Sequence, residues 1–494
     1  MIRRRTITSY VWNSVSGNKM VILSNCIRNF FRKFELLGNS TQGENPAPDN
    51  PQEIKSAGRK SKNLFNIADL RVGQVQKDGT INEKQIYYRT VILDVPQDGK
   101  YRITFNSNDD YTMLYFTEAY ANGVYSNQYL RVHAGSPNYY ITLAKGKNIL
   151  SFSTHTASGN IAFTTDHNIM IAAESETLDY EPYGYLLDVK VTGKNLLDKS
   201  IILPLSSYDI KDGIYWRKYF YLLPNTDYLI RVTPHYTEKL VDTSGFLGVG
   251  EPYDNNLPNG IISLIPDVGT TDKTNYFRTD ATGKVILKFK DSANEENIRK
   301  MLEQVEITLA LKTFNNEHEL YTEQTVQIAL DEPLRGVGEY KDTITKDGVV
   351  RKIKRVVLNG SEGWGIHKEK ETTVSFWTNS FKFLFPTHNM MLVDKFAYVI
   401  SGMNKEDVSW SVYGVNFYIN INKDVASNLE SFKTWLSKNP VTVEYIAIEP
   451  TTEPLPESVQ AQLQAMHSEN GTTHVFVDSG EVECGINIEY KYKS

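Results

Sequence analysis

Lys62-Asn63-Leu64-Phe65 returns further along the chain as Lys194-Asn195-Leu196-Leu197-Asp198. Two more pairs of short segments keep the same order. Gln76-Lys77-Asp78-Gly79 is matched by Ile210-Lys211-Asp212-Gly213, and Tyr101-Arg102-Ile103-Thr104 by Tyr228-Leu229-Ile230-Arg231. Asp179-Tyr180-Glu181-Pro182-Tyr183 closes the first stretch, and Glu319-Leu320-Tyr321-Thr322-Glu323 closes the second. Kept order with a slightly drifting interval indicates one domain present twice with loop insertions. The period is too long for a solenoid.

Each copy reads as β. Tyr101, Ile103 and Phe105 alternate with Arg102, Thr104 and Asn106, and Val285, Leu287 and Phe289 alternate with Ile286, Lys288 and Lys290. Such alternation buries one face of a strand and wets the other. Asp78-Gly79, Asp98-Gly99, Asn122-Gly123 and Asp212-Gly213 supply the positive φ that tight hairpins need. Many short strands between such turns predict a mainly β protein with two tandem β-sandwiches. One helix, 293–302, interrupts the second copy, with Ile298, Met301 and Leu302 on one side.

The flanks differ from the repeats. At 494 residues the chain is too long for one core, and about three domains are expected. Before the first copy, Phe34-Glu35-Leu36-Leu37 ends at Gly38, and Pro46, Pro48 and Pro51 punctuate the next stretch. Each proline fixes its own φ and extends the residue before it, which predicts a semi-rigid strut. Residues 1–37 carry Arg3, Arg4, Arg5, Lys19, Arg28, Arg32 and Lys33 around Met20-Val21-Ile22-Leu23, and read as an arm packing on a neighbour.

After Leu330 a junction, 331–338, leads to a hairpin centred on Lys346-Asp347-Gly348. Val425, Leu429, Phe432 and Leu436 predict a helix capped by Asp424. Val441, Val443 and Tyr445 predict a strand, and Val459, Leu463 and Met466 a helix opened by Pro456. Residues 472–477 and 485–490 predict two final strands. The expected organisation is an arm at 1–40, a Pro-rich linker at 41–60, sandwiches at 61–186 and 187–326, and a C-terminal β-rich α+β module at 327–494.

Chemistry is sparse. The net charge of −6 is spread without blocks, so no nucleic-acid footprint is visible. No apolar run reaches membrane-span length, and no membrane span is expected. Cys26 and Cys484 are too few for a disulfide framework or a cysteine zinc site. Gly245, Gly248 and Gly250 precede Glu251-Pro252-Tyr253 and read as a loop, not a phosphate cradle. His133, His155, His235, His367, His388 and His474 are scattered, and no Gly-x-Ser-x-Gly elbow occurs. The expectation is a non-enzyme without a cofactor. Asn106-Ser107-Asn108-Asp109-Asp110 offers oxygen ligands for a structural calcium, although a plain Asx-rich turn is the preferred reading. Carboxylates are plentiful, and sequence alone gives no distance between any two of them.

The best-motivated site is a glycan site. Tyr120, Tyr125 and Tyr129 surround Asn122-Gly123 beside Asn127. Aromatic faces stack on sugar C–H surfaces and amides bind hydroxyls. A tyrosine-rich hairpin packed on its own sheet explains the same residues equally well.

Leu36-Leu37-Gly38-Asn39-Ser40, the Pro-spaced connector and Gln52-Glu53-Ile54-Lys55-Ser56-Ala57-Gly58 begin a longer ordered series. The segments starting at Lys62, Asp179 and Lys194 continue it. The series then runs through Leu334-Arg335, Tyr340-Lys341-Asp342, residues 355–364, 432–437, 444–451 and 471–476. From about Phe34 to the C-terminus it resembles tail and minor structural proteins of phages and prophages of Gram-positive bacteria; residues 1–33 fall outside the resemblance. The resemblance implies a virion component at the tail tip or baseplate, made in the host bacterial cytoplasm. It further implies jelly-roll, carbohydrate-binding-like modules, a host cell-surface glycan as ligand, other tail and baseplate proteins as partners, and homo-oligomers, frequently trimers. The competing functions are a tail glycan depolymerase and a purely structural spacer. A bacterial surface adhesin is disfavoured because no signal peptide or wall-sorting segment is visible.

Overall fold

Period-two alternation dominates, and the computed structural model is mainly β, built from antiparallel sheets. It describes residues 2–8, 18–106, 113–136, 139–154, 167–176, 179–202, 210–212, 215–235, 246–250, 252–253, 257–258, 261–263, 273–290, 295–313, 318–384, 390–399 and 408–493. The chain divides into two compact units. The smaller is Arg59–Leu186 with Ala329–Pro333, and the larger is Met1–Gly58, Leu187–Ile328 and Leu334–Ser494.

The smaller unit holds a jelly roll. In chain order its eight strands are Arg71–Val72, Tyr88–Val95, Gly99–Thr104, Met113–Ala121, Val124–His133, Tyr139–Leu143, Gly146–Thr154 and Met170–Ala173. They lie in one sheet of order 1-2-7-4-5 and another of order 6-3-8. The crossing of neighbouring strands between sheets is the double Greek key of a jelly roll. Leu93, Ile103, Phe116, Phe152 and Ile171 are fully buried between the sheets. Each large apolar side chain so buried contributes about 2 kcal/mol. The fourth and fifth strands meet at Asn122 and Gly123, whose φ values of 49° and 81° are those of a two-residue hairpin turn.

The larger unit contains the same topology again. Its strands Ile210–Asp212, Tyr215–Tyr221, Asp227–Pro234, Phe246–Gly250, Ile261–Ser263, Lys273–Arg278, Lys284–Lys290 and Val305–Leu311 also run 1-2-7-4-5 and 6-3-8. The repeated Asn carries the likeness to atomic detail. Asn63 Nδ2 donates to the carbonyls of Ile169 and Glu181, and its Oδ1 accepts from the N–H of Phe65 and Ile171. Asn195 Nδ2 donates to Ile307 and Glu319, and its Oδ1 accepts from Leu197 and Leu309. Tyr101 and Tyr228 occupy matching places in the two third strands, opposite Ala173 and Leu311.

Some details depart from expectation. Asp78-Gly79 closes a small separate hairpin of Gln74–Val75 and Ile81–Asn82, whereas Asp212 ends the first strand of the second roll, paired with Tyr215, and Gly213 lies outside the described residues. Asp78 and Asp212 are therefore not equivalent positions. Asp98-Gly99 is no tight hairpin either, because it carries the chain from one sheet to the other. Val285 and Ile286 are both buried, so the seventh strand of the second roll has apolar cover on both faces there. Gly248 and Gly250 lie in the strand Phe246–Gly250 and pair with a neighbour rather than forming a loop, and Gly245 lies outside the described residues. The expected helix is present as Glu295–Glu303.

The rest of the larger unit overturns the arm and the strut. A long sheet runs Glu323–Leu330, Tyr185–Thr192, Gly471–Asp478, Asn18–Cys26, Gly485–Lys493, Lys33–Leu37, Thr343–Ile344, Gly348–Leu358, Val441–Pro454 and Met391–Val393. The N-terminal segment thus supplies strands between C-terminal ones, and Ile2–Thr8 pairs with Asn487–Lys493. The cause is plain in the burial: Met20, Val21, Leu23, Phe34 and Leu36 are core residues. The connector is a closed loop rather than a spacer, because Ser40 pairs with Ser56 and Thr41 with Lys55. Between those ends Gln42 Nε2 donates to the Val393 carbonyl and the Gln52 N–H to that of Asp394. Gly38 permits a close crossing, since a Cβ there would lie 2.2 Å from the Arg335 carbonyl oxygen.

The C-terminal helix begins later than expected. Asn428, not Asp424, caps Leu429–Lys438 in a reciprocal capping box with Ser431, and Val425 is exposed before it. Phe432 and Leu436 are buried as predicted. The second helix is Glu457–Ala465, preceded by Pro456 and anchored by Leu463.

Candidate functional site

The tyrosine hairpin is formed by Met113–Ala121 and Val124–His133. Tyr120 lies directly opposite Tyr125, and Glu118 opposite Asn127. A bulge between Phe116 and Glu118 shifts the alternation, so Ala119 turns inward and Glu118 and Tyr120 face outward. Tyr125 is half-buried and Asn127 exposed. Tyr129 lies on the same strand, with its side chain outside the described residues. The calcium candidate also falls outside, as 107–112 are not described.

Tyr120 is committed to packing. A Cβ on Gly79 would sit 2.6–3.0 Å from its ring atoms, so the turn of the small hairpin rests against the ring. That hairpin covers the sheet's outer face. The Val75 N–H donates to Ser151 Oγ at 2.7 Å, and Gln74 Nε2 donates to Glu118 Oε1 at 2.7 Å. The accessible polar and aromatic groups are then Tyr125, Asn127 and the rim of Glu118. This array can stack one ring face and exchange hydrogen bonds with hydroxyls.

A second feature of the smaller unit had no signal in the sequence. Gln97, Gly99, Lys100, Tyr101, Ala173, Glu174 and Ser175 line a cavity of about 320 Å³. Lys100 Nζ is 2.9 Å from Glu174 and 4.1 Å from the Tyr140 ring centroid. The two charges answer each other, and their wide separation in sequence hid the pair.

Several of the ordered segments singled out in the sequence, among them 334–342, 355–364 and 444–451, supply clasps that hold the fold. Asp342, fully buried, accepts from the N–H of Arg335, Lys352 and Ile353 and lies 3.4 Å from Arg351. Burial pushes its carboxyl above the usual range, against the pull of those donors. Glu444, also fully buried, meets Arg335 at 3.3 Å and Arg355 at 2.8 Å, and Ser56 Oγ donates to it. Glu362 gathers the N–H groups of Asn359 and Gly360 and the Trp364 indole N–H. In the first roll Glu181 binds Arg59 at 2.9 Å and the Lys62 N–H. Acids locked to arginines and backbone donors in this way hold the fold together.

Among the described residues no group of three or more His, Cys, Asp or Glu side chains is placed to hold a metal ion, and no helix is long and apolar enough to cross a membrane.

No family model matches the chain, and no curated protein matches it. Slight likenesses to solved structures exist. One is the atomic structure of Sulfolobus Turreted Icosahedral Virus, at 13% identity and TM-score 0.13, covering 93% of this chain and 91% of that one. A second is the triple jelly roll of an archaeal virus turret assembly, at 11% identity and TM-score 0.12, covering 93% and 90%. A third is tripeptidyl peptidase 2, at 10% identity and TM-score 0.15, covering 80% and 37%. Likeness this slight, to a peptidase as readily as to viruses, carries no argument. The jelly-roll assignment rests on the strand orders alone.

Proposed function

We propose that this chain is a non-enzymatic structural component of a phage tail tip or baseplate that adsorbs to host cell-surface glycan. The observation that supports it best is the duplicated jelly roll, with Tyr125 and Asn127 held on a hairpin at its surface. The ordered resemblance of the sequence to tail proteins supplies the setting. Single sites of this size bind weakly, and presentation on a homotrimer would multiply them. The partners in that setting are other tail proteins and the host wall. Tyr120, packed under the small hairpin, favours a purely structural spacer instead.

Retention of the full chain on purified Gram-positive cell wall separates the two. Adsorption predicts retention that weakens in Tyr125→Ala or Asn127→Ala. A spacer predicts no retention, with the chain found in purified particles all the same.

A further inference from the structure

In the larger unit, the strands Trp364–Glu369, Thr373–Thr378, Asn416–Asn422 and Ser409–Tyr413 form a sheet in that order. Its inner face is core: Val374, Phe376, Phe417, Ile419 and Ile421 are buried, and Phe376 stacks on Phe432 of the helix at 4.0 Å. The alternate positions face the other way. One row across the sheet reads Gly365, Trp377, Tyr418, Ser411. The next reads Lys368, Ser375, Asn420, Ser409.

Trp377 lies along the sheet. A Cβ on Gly365 would fall 2.7 Å from its indole Nε1 and 3.0 Å from Cε2, so glycine is what lets the ring settle over the neighbouring strand. Cover for a glycine is one stabilising use of such an aromatic. It does not account for the surroundings. Trp377, Ser375, Ser411 and Asn420 all keep partial exposure. Asn416 Nδ2 donates to the Tyr418 hydroxyl at 3.3 Å, Asn420 Nδ2 donates to Ser409 Oγ at 3.1 Å, and His367 stands edge-on to Tyr418 at 5.0 Å. The two rows contain one amide, four hydroxyls, one lysine and no carboxylate.

We propose that this face is a binding site for neutral saccharides, with the Trp377 ring as stacking platform and Ser375, Ser411 and Asn420 as partners for hydroxyls. The proposal rests on the adsorption function and gives it a second site and a ligand class. A flat ring flanked by neutral donors and acceptors suits the C–H face and hydroxyl rim of a sugar. An anionic glycan would call for a basic cluster, and Lys368 is alone in these rows.

The test uses the full chain on an array of neutral and anionic oligosaccharides, with a proline-rich peptide as the competing stacking ligand. Wild type should bind neutral saccharides. Trp377→Ala should bind about tenfold more weakly, from loss of stacking, while Trp377→Phe stays within roughly threefold. Ser411→Arg leaves the core untouched and should abolish binding by covering the platform, with circular dichroism confirming an unchanged fold. If wild type binds neutral saccharides and both Trp377→Ala and Ser411→Arg bind equally well, this site is wrong and adsorption stands. If wild type binds no saccharide, both fail. A preference for anionic glycans or for the peptide overturns the ligand class.

Discussion

Replacing Asn63 with alanine removes four hydrogen bonds from a side chain only 2% exposed. Two carbonyls and two N–H groups lose their partner in the interior of the first roll. At about 1 kcal/mol net for each bond, the local cost is about 4 kcal/mol, and more if water does not enter. Asn195, also 2% exposed, makes the corresponding four bonds in the second roll, so Asn195→Ala should cost the same there. A chain of several cores does not unfold in one step, so the readout must be local. Hydrogen exchange of the full chain meets that need. A cost of about 4 kcal/mol corresponds to exchange about a thousandfold faster at protected amides. In Asn63→Ala the acceleration should appear in Met170–Ala173, and in Asn195→Ala in Val305–Leu311. Exchange within about threefold of the parent in both variants would refute the reasoning, because the clasp would then carry no load. Acceleration of the wrong roll in either variant would refute it equally.

Other perturbations probe the larger unit. His474 is fully buried with Nδ1 against the Gly193 carbonyl, and burial holds its pKa down to about 4. The folded value lies below the unfolded one, so the unfolded chain takes up the proton first as pH falls. Stability is therefore intact above about pH 6.5 and declines toward pH 4, by about 3 kcal/mol. Hydrogen exchange of Gly471–Asp478 across that window should show the decline, and His474→Gln should flatten it; an equal slope in the variant counts against it. Glu444→Ala removes the buried carboxylate that Arg335 and Arg355 share and should cost about 3–5 kcal/mol, read as faster hydrogen exchange in Val441–Pro454. An acceleration no larger than that from breaking an exposed pair, as in Lys55→Ala, would show the cluster to be solvated. Burial raises the thiols of Cys26 and Cys484 to about 11 and about 12. Neither should react with a disulfide reagent at pH 8 until the chain is unfolded, and prompt labelling of the native protein would contradict that burial.

Much of the β architecture is legible in the sequence because it rests on local alternation and turn chemistry. Ile103 between Arg102 and Thr104, and Gly123 after Asn122, announce a strand and a hairpin without help from distant residues. The duplication is legible because Asn63 and Asn195 do one job that only a side chain with both donor and acceptor can do. The N-terminal strands are not, because their partners lie at the opposite end of the chain. Phe34 and Leu36 alternate correctly, but nothing local says that they pair with Ile488 and Ile486. The prolines near residue 50 suggest reach. A two-residue ladder across Ser40 and Ser56 turns the same stretch into a closed loop. The helix starts after Asn428 rather than Asp424 because the reciprocal bond with Ser431 outweighs a bare carboxylate upstream. For the site, the clustering of tyrosines points to the hairpin but cannot show that Tyr120 is spent against Gly79. Trp377 carries no signal of its own, because its meaning comes from Gly365 on the next strand.

Incubating the full-length chain with purified Gram-positive cell wall, then measuring bound protein and released reducing sugar together, tests the proposed function most directly. Saturable retention that a neutral oligosaccharide competes away, with no sugar released, is the predicted result. Absence of retention, or steady release of sugar, would contradict it.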